Sequence, residues 1–278
     1  MRTRLFIILL SLCGGVQAAD VVTVAVASNF KSTATQLAQL FFEETGNTLR
    51  LSSGSTGKLY TQIVNGAPFD VFLAADAERP ALLEDGGFAV RGSRFTYATG
   101  SLVLFSTRVT DCAAALHDEN AGFVAIANPV TSPYGKAARQ YLDGEGLWAS
   151  VSTRAVYGEN VTQAWQFAFT GNAVVGFAAR AQMHLVARKP TCSYDVPTTS
   201  HEPLEQQAVL INADNDAARV WIVFKLINNL ADLVNMLAVG GRPATPLIAV
   251  NRAEIAIFIS PFVPDANLVF SQVADIGI

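Results

Sequence analysis

Hydrophobic residues in the first third of the chain form short unbroken runs, separated by longer segments with helical periodicity. Residues 21–27 are apolar at almost every position, which is typical of a strand buried on both faces of a parallel sheet. Residues 31–45 carry apolar side chains at helical spacing, and Gly46 ends the helix that this pattern predicts. Shorter runs predict strands at 48–52 and 69–74, with a helix at 58–65 between them.

The chain continues this alternation of strands and helices to about residue 211. Alternating strands and helices are the signature of an α/β fold, in which helices pack on parallel-rich sheets. The last predicted strand would return the chain to the first part of the fold. The predicted strands are 102–106, 123–127, 153–157, 173–178 and 206–211, and the predicted helices are 136–142 and 161–170.

The first 18 residues have the pattern of a secretory signal peptide. Arg2 and Arg4 precede an apolar run at 5–12, and the small residues before Ala18 indicate cleavage after that position. The apolar run is shorter than the ~20 residues that cross a bilayer. A lipoprotein signal at Cys13 is the alternative, but a bulky leucine stands where that signal has a small residue. The segment predicts export to the periplasm.

Removing the signal makes the chain more acidic. It leaves 17 of the 19 basic residues against 23 acidic ones, a net charge of about −6. Such a chain has no bulk attraction for nucleic acid or anionic lipid. If it binds an anion, local dipoles must supply the attraction.

Two cysteines, Cys112 and Cys192, remain after the signal is removed. An oxidising compartment permits them to form a disulfide. Two buried free thiols are the alternative, which sequence alone leaves open because it does not place the two residues within bonding reach.

Four strands end in hydroxyl or small residues directly before a predicted helix. Helix N-termini present free backbone N–H groups and partial positive charge, so together they can hold an anion without a charged side chain. Open α/β sheets bind ligands at the carboxyl ends of their parallel strands, where all four loops are predicted to lie. The loops are Ser28-Asn29, 55–57, 133–135 and 159–161.

Each of these loops, taken singly, is also an ordinary helix cap, because Ser, Thr and Asn are the common N-cap residues. Their shared location is what favours a joint anion site. Lys58 and Lys136 follow two of the loops, and we expect both to point to solvent.

A family resemblance rests on four motifs. Residues 65–76 read Asn-Gly-Ala-Pro-Phe-Asp-Val-Phe-Leu-Ala-Ala-Asp and are the most specific of them. Together with 27–30, 54–59 and 133–137, this motif resembles the periplasmic molybdate-binding proteins of ABC importers. The similarity covers residues 20–219. It implies a two-lobed type II periplasmic binding protein fold that holds molybdate or tungstate between its lobes, with the membrane permease of an ABC importer as partner.

The resemblance also implies a set of ligand contacts. Some family members place a tyrosine hydroxyl on the oxyanion where this chain has Phe177, which cannot donate a hydrogen bond. The chain is therefore more similar to the subgroup that uses an asparagine amide in the first loop. The implied contacts are Ser28, Asn29, Thr56, Tyr134 and the backbone N–H of Val161.

The resemblance predicts a division of the chain and an unusual end. Lobe 1 would comprise residues 19–100 and 201–219, and lobe 2 residues 101–200. Residues 220–278 have no family match, although apolar residues recur at helical spacing within them. An altered reading frame or a divergent extension would explain this tail.

Other functions fit the sequence less well. Sulfate, phosphate or a small organic acid would suit the same lobes. An enzyme is not expected, because no nucleophile motif is present and the three histidines have no metal-ligand spacing. Each histidine is interpreted as a surface or capping residue, and the family resemblance implies that Asp70 and Asp76 are lobe-hinge and loop-fixing residues outside the site. A sensor is not indicated, since no DNA-binding segment precedes the lobes. We expect a monomer without a cofactor.

Overall fold

The structure is a computed structural model that describes residues 20–184 and 189–219. The predicted signal segment at 1–18 and the tail at 220–278 lie outside the described residues. Within the described ranges, the chain forms two five-stranded sheets flanked by helices, which confirms the predicted α/β class. No helix in this part of the chain has the length and apolar character needed to cross a membrane.

Ten strands are present in the described residues. They are β1 Val21–Ala27, β2 Thr48–Gly54, β3 Val71–Leu73, β4 Phe95–Gly100, β5 Leu102–Ser106, β6 Val124–Ala127, β7 Ala155–Gly158, β8 Val175–Ala179, β9 Cys192–Asp195 and β10 Leu204–Leu210.

Seven α-helices and three 3₁₀ turns connect these strands in the described residues. The helices are α1 Lys31–Thr45, α2 Thr56–Val64, α3 Glu78–Asp85, α4 Cys112–His117, α5 Pro133–Gly144, α6 Trp148–Ser152 and α7 Val161–Phe169, and the 3₁₀ turns are Ser28–Phe30, Arg180–His184 and Thr198–Ser200.

The two sheets are parallel at one side and antiparallel at the other. The first has the order β2-β1-β3-β10-β4, in which β1, β2 and β3 are parallel and β10 pairs antiparallel with both neighbours. The second has the order β7-β6-β8-β5-β9, in which β6, β7 and β8 are parallel and β5 is antiparallel to both its neighbours. We call the first sheet with α1 to α3 lobe 1, and the second sheet with α4 to α7 lobe 2.

The chain crosses between the lobes twice. It leaves lobe 1 between β4 and β5 and returns between β9 and β10, so the predicted return of the last strand to the first sheet is confirmed. Both crossings lie at the antiparallel side of each sheet, because β10 and β4 are the last two strands of the first sheet and β5 and β9 the last two of the second.

Each sheet is buried between helices on its two faces. In lobe 1, Phe41 of α1 packs on one face, and Leu59 of α2 packs with Leu83 of α3 on the other. In lobe 2, Tyr141 of α5 packs edge-on against Phe177 of β8, with ring centroids 6.0 Å apart. Phe177, which cannot replace the tyrosine hydroxyl of some family members, is therefore part of the core.

The sequence pattern predicted the long elements and missed several short ones. Strands β1 and β5 and helix α1 have the predicted bounds, whereas α2 begins at Thr56 and α5 at Pro133, two and three residues earlier than predicted. The first turns of these helices carry few apolar residues, so the helical periodicity of the sequence begins after the helix itself has begun. The elements without a prediction are α3, β4, α4, α6 and β9.

A disulfide joins Cys112 at the start of α4 to Cys192 at the start of β9, with the Cα atoms 5.8 Å apart. This confirms the pairing that the sequence left open. Both residues belong to lobe 2, and the bridge spans a sequence separation of 80 residues. Cross-links that close long loops reduce the entropy of the unfolded chain, so we expect a clear contribution to stability.

We predict that the double variant Cys112→Ser, Cys192→Ser lowers the free energy of unfolding by about 2–5 kcal/mol, measured by chemical denaturation. The unaltered protein in the presence of a thiol reductant is the matched control and should lose a similar amount. Equal stability of the variant and the oxidised protein would contradict this role of the bridge.

Candidate functional site

Four loops follow the parallel strands β1, β2, β6 and β7 and begin helical segments, as the sequence predicted. Two belong to lobe 1 and two to lobe 2. Their helical starts contain the five residues singled out from the sequence, which are Ser28, Asn29, Thr56, Tyr134 and Val161.

The first loop is the 3₁₀ turn Ser28–Phe30 at the end of β1. Ser28 is partly exposed, and its carbonyl oxygen accepts a hydrogen bond of 3.1 Å from the hydroxyl of Thr162 in lobe 2. Asn29 is buried, and its Nδ2 donates to Oε1 of Gln206 over 2.8 Å. One hydrogen of this amide is thus used inside the protein, and the second is available to another acceptor.

The second loop ends at Thr56, the first residue of α2, whose side chain is almost completely buried. The Thr56 hydroxyl oxygen accepts a 3.0 Å hydrogen bond from the backbone N–H of Ala75, so its own hydrogen can be donated. The neighbouring Ser55 is also buried, and its hydroxyl has no hydrogen-bond partner in the described structure. This hydroxyl is a second donor at the same helix start.

The third loop begins α5 with Pro133 and Tyr134. Proline at the first position fits a helix start, and Ser132 caps it by accepting from the N–H of Gly135 at 3.4 Å. Tyr134 is buried, and burial raises the pKa of its phenol above the usual range. The hydroxyl therefore stays protonated at neutral pH and can act as a donor.

The fourth loop begins α7 at Val161. The side chain of Asn160 caps this helix by accepting from the N–H groups of Thr162 and Gln163, at 3.0 and 3.1 Å. The cap does not engage the N–H of Val161, which lies in the first turn and has no partner one turn earlier in the helix. This N–H is a backbone donor at the positive end of the helix dipole.

Direct contacts between the lobes bring the four loops together. Thr162 reaches the carbonyl of Ser28, which joins the first and fourth loops. The N–H of Gly57 donates to the carbonyl of Thr131 over 2.9 Å, which joins the second loop to the segment before α5. At the edge of the same interface, Lys58 forms an ion pair of 3.1 Å with Glu159.

The donors that meet here are all electrically neutral. Lys58 and Lys136 are half exposed and paired with Glu159 and Glu202, so neither supplies an unpaired positive charge. Burial excludes water and strengthens hydrogen bonds to an ionised ligand. Backbone N–H, hydroxyl and amide groups at helix starts therefore make this interface suited to a small anion that carries its full charge at neutral pH.

A cavity of about 510 Å³ lies beside this interface and has different chemistry. Its two basic side chains are paired with acidic ones, Arg79 with Asp76 and Lys136 with Glu202, and two further acidic residues, Glu78 and Glu205, line it. None of the five predicted site residues lines it. Because its basic groups are already paired and its remaining charged residues are acidic, we do not assign the anion site to this cavity.

Asp70 and Asp76 hold neighbouring segments through hydrogen bonds, as the loop-fixing part of their prediction requires. The Asp70 carboxylate accepts from the N–H of Thr23 at 2.7 Å and from the amide of Asn212 at 2.9 Å. Asp76 accepts from the backbone and side chain of Arg79, and its burial raises its pKa against the opposing effect of that guanidinium.

The histidine prediction is partly wrong. His117 is exposed at the end of α4, but His201 is buried, with Nδ1 placed 2.7 Å from the carbonyl of Glu202. His201 follows a 3₁₀ turn and packs where the chain returns to lobe 1, which the pattern of the sequence did not indicate. In residues 20–184 and 189–219, no group of acidic, histidine or cysteine side chains is arranged to hold a metal ion.

Sequence reasoning missed Gln206, which contacts two of the candidate site residues, and Tyr97, which contacts Gln206. Gln206 on β10 bonds to both Asn29 and Tyr134, and Tyr97 on the adjacent strand β4 bonds to Gln206. The available signal was a polar residue, Gln206, in a strand that was predicted to be buried. A buried polar group normally has hydrogen-bond partners, so such a residue indicates a polar contact inside the fold.

Comparison with known proteins also indicates a protein that binds a small solute. Residues 22–224 match the family model described as bacterial extracellular solute-binding protein. The chain is 42% identical to the molybdate-binding protein ModA of Rhodobacter capsulatus and 44% identical to that of Azotobacter vinelandii, over 74% of this chain and 83% and 84% of those proteins. The solved structure of the Azotobacter vinelandii periplasmic molybdate-binding protein superposes with a TM-score of 0.69 at 38% identity, over 73% of this chain and 92% of that one.

We predict that Gly57→Ala weakens the contact between the lobes. A Cβ at this position would lie 3.0 Å from both the Cα and the carbonyl oxygen of Thr131, so the two loops would have to separate. Such overpacking should lower the free energy of unfolding by about 1–3 kcal/mol, measured by chemical denaturation.

Gly144→Ala is the matched control, because a Cβ there has no atom within 4 Å and the residue lies in α5. We expect the control to be as stable as the unaltered protein or slightly more so. Equal stability of the Gly57 and Gly144 variants would show that the lobes do not meet as described.

Proposed function

The chain belongs to the bacterial extracellular solute-binding protein family, and we propose on this basis that it captures molybdate outside the cytoplasm and delivers it to the permease of an ABC importer. Tungstate, an anion of nearly the same size and charge, is expected to bind in the same way. The protein is a carrier of its ligand rather than an enzyme, and it uses no cofactor.

The observation that carries this proposal is the meeting of neutral donors from both lobes. Ser28, Asn29 and Thr56 come from lobe 1, and Tyr134 and the N–H of Val161 come from lobe 2. A tetrahedral dianion has four oxygen acceptors directed outward, so donors on opposite walls of a cleft can each bind a different oxygen. The positive ends of α2, α5 and α7 add attraction without a mobile counter-charge.

The same donors supply a mechanism of capture. In an open form each lobe exposes its own donors to water, and the anion binds to one lobe first. Its higher affinity for the form in which both lobes contribute then shifts the population towards closure. The hydrogen bonds from Thr162 to Ser28 and from Gly57 to Thr131 belong to this closed arrangement.

The organisation of the precursor is part of the proposal. Residues 1–18 form a signal peptide that is removed on export. Residues 19–100 and 201–219 form lobe 1, and residues 101–200 form lobe 2. The exported protein acts as a monomer in the periplasm and has no role with nucleic acid.

Isothermal titration calorimetry of residues 19–278 with molybdate, tungstate, sulfate and phosphate tests the function directly. The proposal predicts tight binding of molybdate and tungstate, with much weaker binding of the other two. Tight binding of sulfate or phosphate with no response to molybdate would replace molybdate by that anion and refute the assignment.

We predict that Thr56→Ala weakens molybdate binding by about 1–3 kcal/mol, because a buried anion loses one hydrogen bond. Thr56→Ser keeps the hydroxyl and should retain most of the affinity. Thr61→Ala is a second control on the same helix, since the exposed Thr61 hydroxyl bonds only to the carbonyl of Gly57. Titration calorimetry of the three variants measures the differences. An unchanged affinity in Thr56→Ala would remove Thr56 from the site.

A further inference from the structure

We propose that Gln206 is a positioning residue, which directs one hydrogen-bond donor from each lobe towards the bound anion. This inference rests on the proposed function, because Asn29 and Tyr134 are the donors concerned. Gln206 itself does not contact the ligand. It acts through the orientation of its carboxamide, which is held between the two donors.

The contacts of Gln206 connect both lobes through one side chain. Its Oε1 accepts from Nδ2 of Asn29 at 2.8 Å and from the hydroxyl of Tyr97 at 3.3 Å. Its Nε2 donates to the hydroxyl oxygen of Tyr134 at 3.4 Å. Gln206 has only 4% of its surface exposed, so these bonds form away from water.

The direction of these bonds determines where the remaining hydrogens go. A phenol has a single hydrogen, and the oxygen of Tyr134 already accepts from Gln206, so that hydrogen is directed to a different acceptor. One amide hydrogen of Asn29 is bound to Gln206, and the other is left to donate. A single carboxamide thus presents a hydroxyl of lobe 2 and an amide of lobe 1 as donors.

The backbone around Gln206 is irregular in a way that supports this role. The register between β10 and β4 shifts at this point, because Gln206 pairs with Ala98 and Gln207 pairs with Thr96, which leaves Tyr97 as the extra residue of a bulge. Bulges redirect side chains and are common beside functional sites. The carbonyl oxygen of Ala74, just after β3, lies 3.0 Å from the Tyr97 hydroxyl, so the single hydrogen of this phenol is shared between Ala74 and Oε1 of Gln206.

Gly100 leaves no room for the group to rearrange. A Cβ at this position would overlap the Tyr134 hydroxyl and would approach Nε2 of Gln206 to 3.0 Å. Tyr134 is therefore packed directly against the backbone at the end of β4, where the chain crosses to lobe 2. The carboxamide lies beside the two crossings of the chain between the lobes, which together we call the hinge, and it contacts donors of both lobes.

The strand offers a matched control for this inference. Gln207 is the next residue of β10 and is similarly buried, with 8% of its surface exposed. Its side chain accepts from Arg94 at 2.9 Å and donates to Thr96 at 3.0 Å, and both partners belong to lobe 1. Gln206→Met and Gln207→Met therefore remove the same group from neighbouring positions, and only the first should disturb the donors.

Titration calorimetry with molybdate compares the two variants with the unaltered protein. We expect Gln206→Met to reduce the affinity by about tenfold to a hundredfold, and Gln207→Met to change it by less than about threefold. Both variants are expected to lower the melting temperature of the ligand-free protein, so stability alone does not separate them. A merely structural role for Gln206 would give both variants the same affinity, which would overturn the inference.

A double-mutant cycle with Tyr134→Phe adds a readout of coupling. If Gln206 acts by orienting the Tyr134 hydroxyl, its replacement should weaken binding less in the Tyr134→Phe background than in the unaltered protein. Strictly additive losses would count against positioning.

In the variant Gln206→Glu, the affinity for molybdate should depend on pH, which would not be expected if Gln206 had only a structural role. The ionised carboxylate only accepts, so it would draw the Tyr134 hydrogen away from the anion and add a like charge nearby. Burial raises the pKa of such a carboxyl, and its protonated form again offers a donor and an acceptor. Affinity in this variant should therefore recover as the pH falls from about 8 to about 6, whereas the unaltered protein should show a flat profile, because its donors do not titrate there. Binding equal to the unaltered protein at every pH would overturn the inference.

The failure of this inference can be told apart from the failure of the proposed function. If the unaltered protein binds no molybdate, the function is refuted and the role of Gln206 falls with it. If the unaltered protein and Gln206→Met bind molybdate equally well, the function stands and only the positioning role is refuted.

Discussion

Backbone N–H groups at the starts of helices have no partner within their own helix, and they carry partial positive charge without a cationic side chain. An acidic protein that holds an anion depends on such groups, because its overall charge repels the ligand. The fold places the starts of α2, α5 and α7 and the 3₁₀ turn after β1 at one interface between the lobes. Neutral donors in a buried interface select an anion by its size and by the number of its acceptors, which suits a carrier that must discriminate between tetrahedral oxyanions.

The hinge carries the polar contacts that make this arrangement specific. Strand β10 lies beside the second crossing of the chain, and Gln206 on this strand joins Asn29 of lobe 1 to Tyr134 of lobe 2. A buried network of this kind is costly when it is incomplete, so it favours one relative position of the lobes. Lobe 2 is braced separately by the disulfide between α4 and β9. Two rigid lobes that are joined by a specific polar hinge suit a protein that closes around its ligand.

Sequence alone could predict the features that depend on neighbouring residues in the chain. Unbroken apolar runs marked β1 and β5, and helical spacing marked α1, because these elements bury whole faces in the core. The four donor loops were also predictable, since a strand followed by small polar residues and a helix is a local pattern. The contact of Gln206 with Asn29 was not predicted, because it joins residues 177 positions apart and lies where β4 has a bulge at Tyr97. Exposed β9 and the short helix α6 gave no periodic signal.

A crystal structure of residues 19–278 with bound molybdate would show whether neutral groups of both lobes hold the anion. We predict an anion between the lobes that contacts no lysine or arginine side chain. Its oxygens should lie within hydrogen-bond distance of the side chains or backbone N–H groups of Ser28, Asn29, Thr56, Tyr134 and Val161. An anion held by a lysine or arginine, or bound in the neighbouring cavity lined by Arg79 and Lys136, would contradict it.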